Sequence, residues 1–444
     1  MGRLRSLLLA GSVVWASVVC GAACGDSAPP GARPGPRKDA GADDASVDGD
    51  DGRGDAPVLP PADDTVTLPF GGPAVRYEFE VAADLGRLDV VFSIDTTGSF
   101  AGEIDNLQAE VTSRVIPGVR KRVPDSAFAV VRFSDFPLTP FGSLGDSTFQ
   151  LLTPVVGNSA KVLAAVGKLD MPLDSGGDVP EAGAEALYQI ATGEGYAFEG
   201  RTFIDAYGGN GANSAPGVGF RSGALRVVVH ATDAPTHEGS DYAGELPGLH
   251  STADALAALT EARVRVIGIA SAARPRPWLE QVAEATGATA PPNLEGRCET
   301  GIGAATNAPT DGQCPLVFDV SPSGLGLSDT VVDAIVAAVN GVAFDRVAAS
   351  APDDRFAFVE RIVPVRAEST GAPLPALIDE AAPFGEPEAF GAVRQGTTLV
   401  FGADLKNDSI RPMATDESFR VRIEVMGDGT LLASRTLRIT VPGE

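Results

Sequence analysis

The stretch VVFSIDTTGSF carries an apolar run into Asp95, Thr97 and Ser99. Their side-chain oxygens alternate at two-residue spacing just past a segment rich in Val, Ile and Phe, the composition of a strand covered on both faces. That spacing can aim several oxygens at one point. A hard divalent cation takes such an environment: Mg²⁺ binds about six oxygens at roughly 2.0–2.1 Å and usually keeps waters among them. The same residues have a purely structural use, in which Thr and Ser cap the helix beginning near Gly102 and Asp95 stabilises its positive end. Two further acidic clusters bear on the choice. LDSGGDVPEAGAEAL carries Asp178 and Glu181, and VVVHATDAPTHEG carries Asp233. Each alone reads equally well as a cap or a solvated loop charge; jointly with the strand-end cluster they favour a cation site.

The elements that must position these groups lie within residues 88–345. The apolar strands LDVVFSID, AFAVVRFSDF, LRVVVHATD, RVRVIGIAS and PLVFDVS alternate with helical patterns over 102–123, 159–169, 181–192, 252–262, 277–286 and 328–339. This is the pattern of an α/β domain with a doubly wound, mostly parallel sheet. In such sheets ligands bind beyond the carboxyl ends of the strands, where Asp95 falls. From 352 to 444 only strands are expected: FAFVERIVPVRA, TTLVFGADL, SFRVRIEVM and LLASRTLRITV, with Gly427-Asp428-Gly429 as a hairpin turn, which fits an all-β sandwich. Residues 66–87 read as a short extended lead-in.

DTTGS matches the DxTxS form of the metal-ion-dependent adhesion site of von Willebrand factor A domains. FSDFPLTPFG, DVPEAG and HATDAPTH follow in the order, and at about the spacings, of the integrin β-subunit I-like domain, so 88–342 resembles that domain. The resemblance implies that Asp95, Thr97, Ser99 and Glu181 line a principal Mg²⁺ or Mn²⁺, with Asp233 approaching through water. It implies a neighbouring Ca²⁺ site from Asp135, Asp178, the Pro180 carbonyl and Glu181, although Gly176 stands where the family offers a side-chain oxygen. A third family site expects two carboxylates where Gly102 and Glu103 stand, and is weakened or absent. A cation held by largely neutral or water-borne ligands keeps positive charge and an open position. The function implied is adhesion or protein binding, in which a partner's Asp or Glu fills that position.

Residues 1–24 read as an export signal, with Arg3 and Arg5 before a short apolar core. Gly21, Ala22 and Ala23 before Cys24 resemble a bacterial lipobox, with Gly21 in place of the usual leucine, so Cys24 is the expected lipid anchor; ordinary signal cleavage nearby is the alternative. Residues 25–65 are Pro, Gly, Ala and Asp with almost no large apolar side chain, the composition of a disordered tether. The expected location is the bacterial cell envelope, lipid-anchored to the outer membrane or cell surface. In that oxidising setting Cys298 and Cys314 are expected to form one disulfide, worth about 3 kcal/mol by loop closure, with free thiols as the alternative.

The 444 residues carry a net charge of −25, which repels nucleic acid and excludes it as a natural partner. Catalytic motifs are missing. Of the three histidines, His230, His237 and His250, none forms a zinc-protease pair, and His237 reads as a loop residue at the metal rim. No G-x-S-x-G elbow or P-loop occurs, and the Gly-rich stretch 208–220 lacks G-x-G-x-x-G. The chain is therefore read as a non-enzyme. Two rival readings stay open: a metal-dependent hydrolase using Glu181 or Glu238 as base, and a structural envelope spacer.

Overall fold

Strands that are apolar at successive positions can be buried only between two covering layers, and the central sheet is built in that way. A computed structural model describes residues 62–211, 214–303, 305–369, 373–379 and 385–444. The expected signal segment, the Cys24 anchor and the tether as far as residue 61 lie outside the described residues. The six strands of the central sheet are numbered along the chain: β1 (Leu88–Asp95), β2 (Ser126–Phe133), β3 (Phe149–Val156), β4 (Leu225–Thr232), β5 (Val264–Ala270) and β6 (Val317–Asp319). Their order is β6-β5-β4-β1-β2-β3. All neighbours are parallel except β3, which runs antiparallel to β2 at the edge. β1 and β2 are buried at every position, whereas β3 is largely half-exposed. Its broken apolar pattern, with Gln150, Thr153 and Pro154, is why the sequence gives no clear strand there.

Side chains of β1 alternate between the two faces. Val90, Phe92 and Ile94 join one core with α1 (Ala101–Glu110), α2 (Ile116–Arg122), α3 (Ser159–Val166) and α7 (Leu327–Asn340). Val91 faces the other, against α4 (Gly183–Thr192) and α5 (Thr252–Glu261). At the edge, α6 (Arg276–Ala285) packs on β5 with Leu279 and Ala283. The single helix expected over 102–123 is divided: Val111–Val115 has π geometry between α1 and α2. Pro117 explains the division, because it donates no amide hydrogen and its ring crowds the preceding turn.

Apart from two short two-stranded pairs, Tyr196–Phe198 with Arg201–Ile204 and Thr289–Ala290 with Cys314–Pro315, the remaining strands form two antiparallel-dominated sheets. One is ordered Asp64–Thr67, Thr430–Val441, Glu417–Gly427, Ala343–Ser350, Ala389–Arg394, Ala376–Ile378; the other is Val359–Glu368, Thr398–Leu405, Val75–Ala82. The segment read as a lead-in thus supplies a strand to each sheet, the first beginning at Asp64 within the stretch expected to be tether because it pairs with Leu437–Thr440, and 343–350 adds another, so this β part is assembled from both ends of the described chain. Phe390 of the first sheet meets Phe401 of the second edge-on, ring centroids 5.2 Å apart. The hairpin at Asp428 and Gly429 has φ of 47° and 84°, the positive pair that a type I′ turn requires. Among the described residues no helix is long and apolar enough to cross a membrane.

Cys298 and Cys314 form a disulfide, and both are buried. Replacing both with Ser is expected to lower unfolding free energy by about 3 kcal/mol. Urea denaturation with and without reductant reads this; the reduced parent should match the variant.

Candidate metal centre

The strand order reverses between β1 and β4: the chain leaves β1 toward β2 and returns to β4 on the other side. At such a point the two outgoing loops diverge and leave a crevice at the carboxyl edge. Asp95 ends β1, Asp135 follows β2, and Thr232 with Asp233 ends β4. The loop 174–181, which precedes α4, closes over them. It is stitched to its neighbours by backbone bonds: Asp174 N–H donates to the Thr96 carbonyl, Gly98 N–H donates to the Asp174 carbonyl, Glu181 N–H donates to the Pro235 carbonyl, and His237 N–H donates to the Glu181 carbonyl at 2.8 Å. Gly177 sits so close to the loop at Pro140 that a Cβ there would lie 2.2 Å from the Pro140 oxygen.

Within the crevice the first group is continuous. Thr97 donates to Asp95 Oδ1 from both its N–H (2.9 Å) and its Oγ1 (2.7 Å), and that Oγ1 lies 3.1 Å from Ser99 Oγ. Ser99 Oγ donates to Asp233 Oδ1 at 3.2 Å, and Thr232 Oγ1 donates to Asp95 Oδ2 at 2.7 Å. The alternative use as helix caps is not what these side chains do. Thr97, at the N-cap of the short turn Gly98–Phe100, makes no capping bond with its side chain, and the N-cap of α1 is Phe100. Burial pushes the Asp95 carboxyl up to about 6, against the lowering effect of the Thr232 and Thr97 hydrogen bonds. Glu181 is buried, its Oε2 has no hydrogen-bond partner, and desolvation followed by the charges of Asp95, Asp135, Asp178 and Asp233 pushes it up to about 10. A buried carboxylate among carboxylates, with an unpartnered oxygen, fits a divalent cation, which would satisfy that oxygen and neutralise the group.

The second group lies beside it. Asp135 is fully buried; its Oδ1 accepts from the Phe136 N–H and from the Tyr242 hydroxyl, both at 2.6 Å, while Oδ2 has no hydrogen-bond partner. Desolvation pushes its carboxyl up to about 7. His237 Nε2 lies 3.3 Å from Asp135 Oδ2 and 3.2 Å from Asp178 Oδ1. Asp178 is exposed, and Pro180 follows it on the same loop.

Several residues essential to this arrangement carry no motif of their own. Asp174 is buried and accepts from Thr96 Oγ1 (2.5 Å), Arg132 (2.6 Å) and the Ser147 N–H (3.1 Å), so it anchors the turn that presents Thr97. Asp146 accepts from the N–H groups of Ser143, Ser175 and Gly176 and ties the 141–147 loop to the 174–177 loop. His237 reads in sequence as a loop residue at the rim of the principal group; it stands instead against Asp135 and Asp178. Its signal was local, a histidine four residues before an aspartate. Glu238 accepts from the Thr252 N–H (2.7 Å) and Oγ1 (2.6 Å). At position 102 a Cβ would meet the Pro322 carbonyl at 3.1 Å, and Glu103 is buried.

No family model matches the chain, and no curated protein matches it in sequence. Among solved structures, a von Willebrand factor type A protein from Catenulispora acidiphila aligns at 15% identity over 85% of this chain and 72% of its own, with a TM-score of 0.32. The pilus adhesin SpaC from Lactobacillus rhamnosus GG, in its open conformation, aligns at 12% identity over 85% of this chain and 46% of its own, TM-score 0.32. Proximal thread matrix protein 1 from the mussel byssus aligns at 16% identity over 62% and 51%, TM-score 0.32.

Asp174→Ala would leave Arg132 buried without its partner and is expected to cost about 3–5 kcal/mol in urea unfolding. A pH dependence also follows. Without a cation, Asp95 near 6 and Asp135 near 7 sit above the unfolded carboxyl value of about 4. Their contribution to stability is full below about pH 4 and is lost as pH rises through 6 and 7. A bound cation favours the ionised forms and opposes that loss. The gain in melting temperature on adding Mg²⁺ to chelated protein should therefore grow from pH 5 to pH 8; a gain independent of pH would refute the assignment.

Proposed function

We propose that this chain is a von Willebrand A-type adhesion or protein-binding module of the cell envelope, which captures an acidic side chain of a partner protein through a divalent cation. Asp95, Thr97, Ser99 and Glu181 would hold Mg²⁺ or Mn²⁺, with Asp233 reaching it through water. The observation that carries the reading is the convergence, at the reversal of strand order, of a hydrogen-bonded oxygen chain from Asp95 to Asp233 with the buried Glu181, whose Oε2 lacks a partner. A cation there supplies an electrophilic position for a carboxylate ligand. The protein's own groups set its terms: Thr232 and the Thr97 N–H fix the rotamer of Asp95, the Arg132–Asp174 pair fixes the turn, and exposed Ser99 marks the side open to solvent. The β-sandwich would serve as its stalk. As part of the same reading, the protein is exported and anchored through a lipid on Cys24, with the tether holding the domain off the membrane.

A hydrolase would need a free base beside the cation. Glu238 is committed to Thr252 at the start of α5, and Glu181 is needed as a ligand.

The test is Asp95→Ala. It is expected to abolish both Mg²⁺-induced thermal stabilisation and Mg²⁺-dependent capture of partner from envelope extract, with the circular dichroism spectrum retained. A variant that still gains stability from Mg²⁺ as the parent does would sink the metal assignment. Turnover of extract components without stable capture would favour the hydrolase.

A further inference from the structure

The resemblance that implies a Ca²⁺ site beside the principal group contains only oxygen ligands. The crevice presents something else, because an imidazole stands between the two carboxylates. We propose that Asp135, Asp178 and His237 form a site for a borderline transition-metal cation of the Zn²⁺ class, in which His237 Nε2 is a direct ligand.

Three observations carry this beyond an acidic cluster. The first is an oriented, unpartnered ligand atom. Asp135 is fully buried, two donors fix its Oδ1, and Oδ2 is left without a hydrogen-bond partner 3.3 Å from the imidazole nitrogen. The second is spacing. His237 Nε2 stands 3.2 and 3.3 Å from the two carboxylate oxygens, and the three ligand atoms lie within 4.8 Å of one another. Both contacts lie at the long end of the hydrogen-bond range. They match the ligand-to-ligand edge of about 3.3 Å that tetrahedral bonds of roughly 2.0–2.1 Å impose.

The third is the outer partner of the ring. His237 Nδ1 lies 3.3 Å from Asp241 Oδ2, and that oxygen also accepts from the Glu238 N–H at 2.8 Å. A metal-bound histidine typically gives its other N–H to a carboxylate, which fixes the tautomer and leaves Nε2 free to coordinate. Phe141 meets the ring edge-on at 5.4 Å and Tyr242 packs against it at 5.1 Å, so the imidazole is held in place by more than the aspartates. Imidazole with two carboxylates suits Zn²⁺ and its neighbours, whereas Ca²⁺ takes oxygens. Exposed Asp178 lies at the solvent side of the site and leaves a path for the ion.

The untagged full chain, stripped with chelator, would be titrated with Zn²⁺ by calorimetry in excess Ca²⁺ and Mg²⁺, and with Co²⁺ by visible absorption. One Zn²⁺ per chain is expected under that competition, with a Co²⁺ ligand-field band of a low-coordinate nitrogen and oxygen site. His237→Gln and Asp178→Asn should each remove this binding and the band, and Asp241→Asn should weaken it by about 10–100-fold. Asp178→Asn, at the surface, keeps the test valid should the His237 variant fail to fold. Asp95→Ala should leave Zn²⁺ binding in place, so failure here and failure of the Mg²⁺-dependent reading are separable. Zn²⁺ binding unchanged in both ligand variants, or none that survives the Ca²⁺ competition, would overturn the proposal and leave His237 as a hydrogen-bond partner of the aspartates only.

Discussion

A carboxylate taken out of water must meet a proton, a set of donors or a cation, and the carboxyl edge of the central sheet faces that requirement several times over. Asp174 meets it within the protein, through buried Arg132 at 2.6 Å. Asp95 meets it in part, with donors from Thr97 and Thr232 on its two oxygens. Glu181 and Asp135 each retain an oxygen with no hydrogen-bond partner. The loops around the crevice are arranged to keep these groups close together despite their repulsion. The backbone bonds joining Thr96, Gly98, Asp174, Glu181, Pro235 and His237 do that holding.

The division of labour among these residues follows from where the chain comes to the edge. The strand β1, buried at every position, delivers Asp95 to a fixed place, and the tight turn after it gives its hydroxyls to carboxylates of the crevice, Thr97 to Asp95, Thr96 to Asp174 and Ser99 to Asp233. Glu181 feels both groups, since its ionisation is opposed by desolvation and by the charges of Asp95 and Asp233 on one side and of Asp135 and Asp178 on the other. Occupation of either group by a cation would thus relieve the other, a coupling by charge that needs no movement of the backbone.

Sequence and structure part company where tertiary context replaces local pattern. Continuous apolar runs made β1, β2, β4 and β5 legible to within a residue or a few. The edge strand β3 was not legible, because exposure on one side dilutes its pattern, and the strand Val75–Ala82 could be read as extended but not assigned to a sheet with Thr398–Leu405. A helix over 102–123 follows from periodicity alone; Pro117 divides it. In the candidate site, Asp95, Thr97 and Ser99 declare themselves because their spacing is local. Asp174 and Asp146 do not, since their role is to bind backbone of other loops, and no spacing announces that.

By itself the sequence determined the alternation of buried strands and helices, the strand-end oxygen cluster and the pair of cysteines able to close a loop. These are properties of neighbours along the chain, set by side-chain volume, polarity and two- or four-residue periods. Only the tertiary structure decided that Thr97 turns toward Asp95 and away from a cap, that Glu238 is tied to Thr252, and that His237 belongs with Asp135 and Asp178. Asp135 and His237 are separated by about a hundred residues and meet because β2 and β4 flank β1 in one sheet. Distance in space at that edge is fixed by strand order, which a linear pattern of residues does not encode.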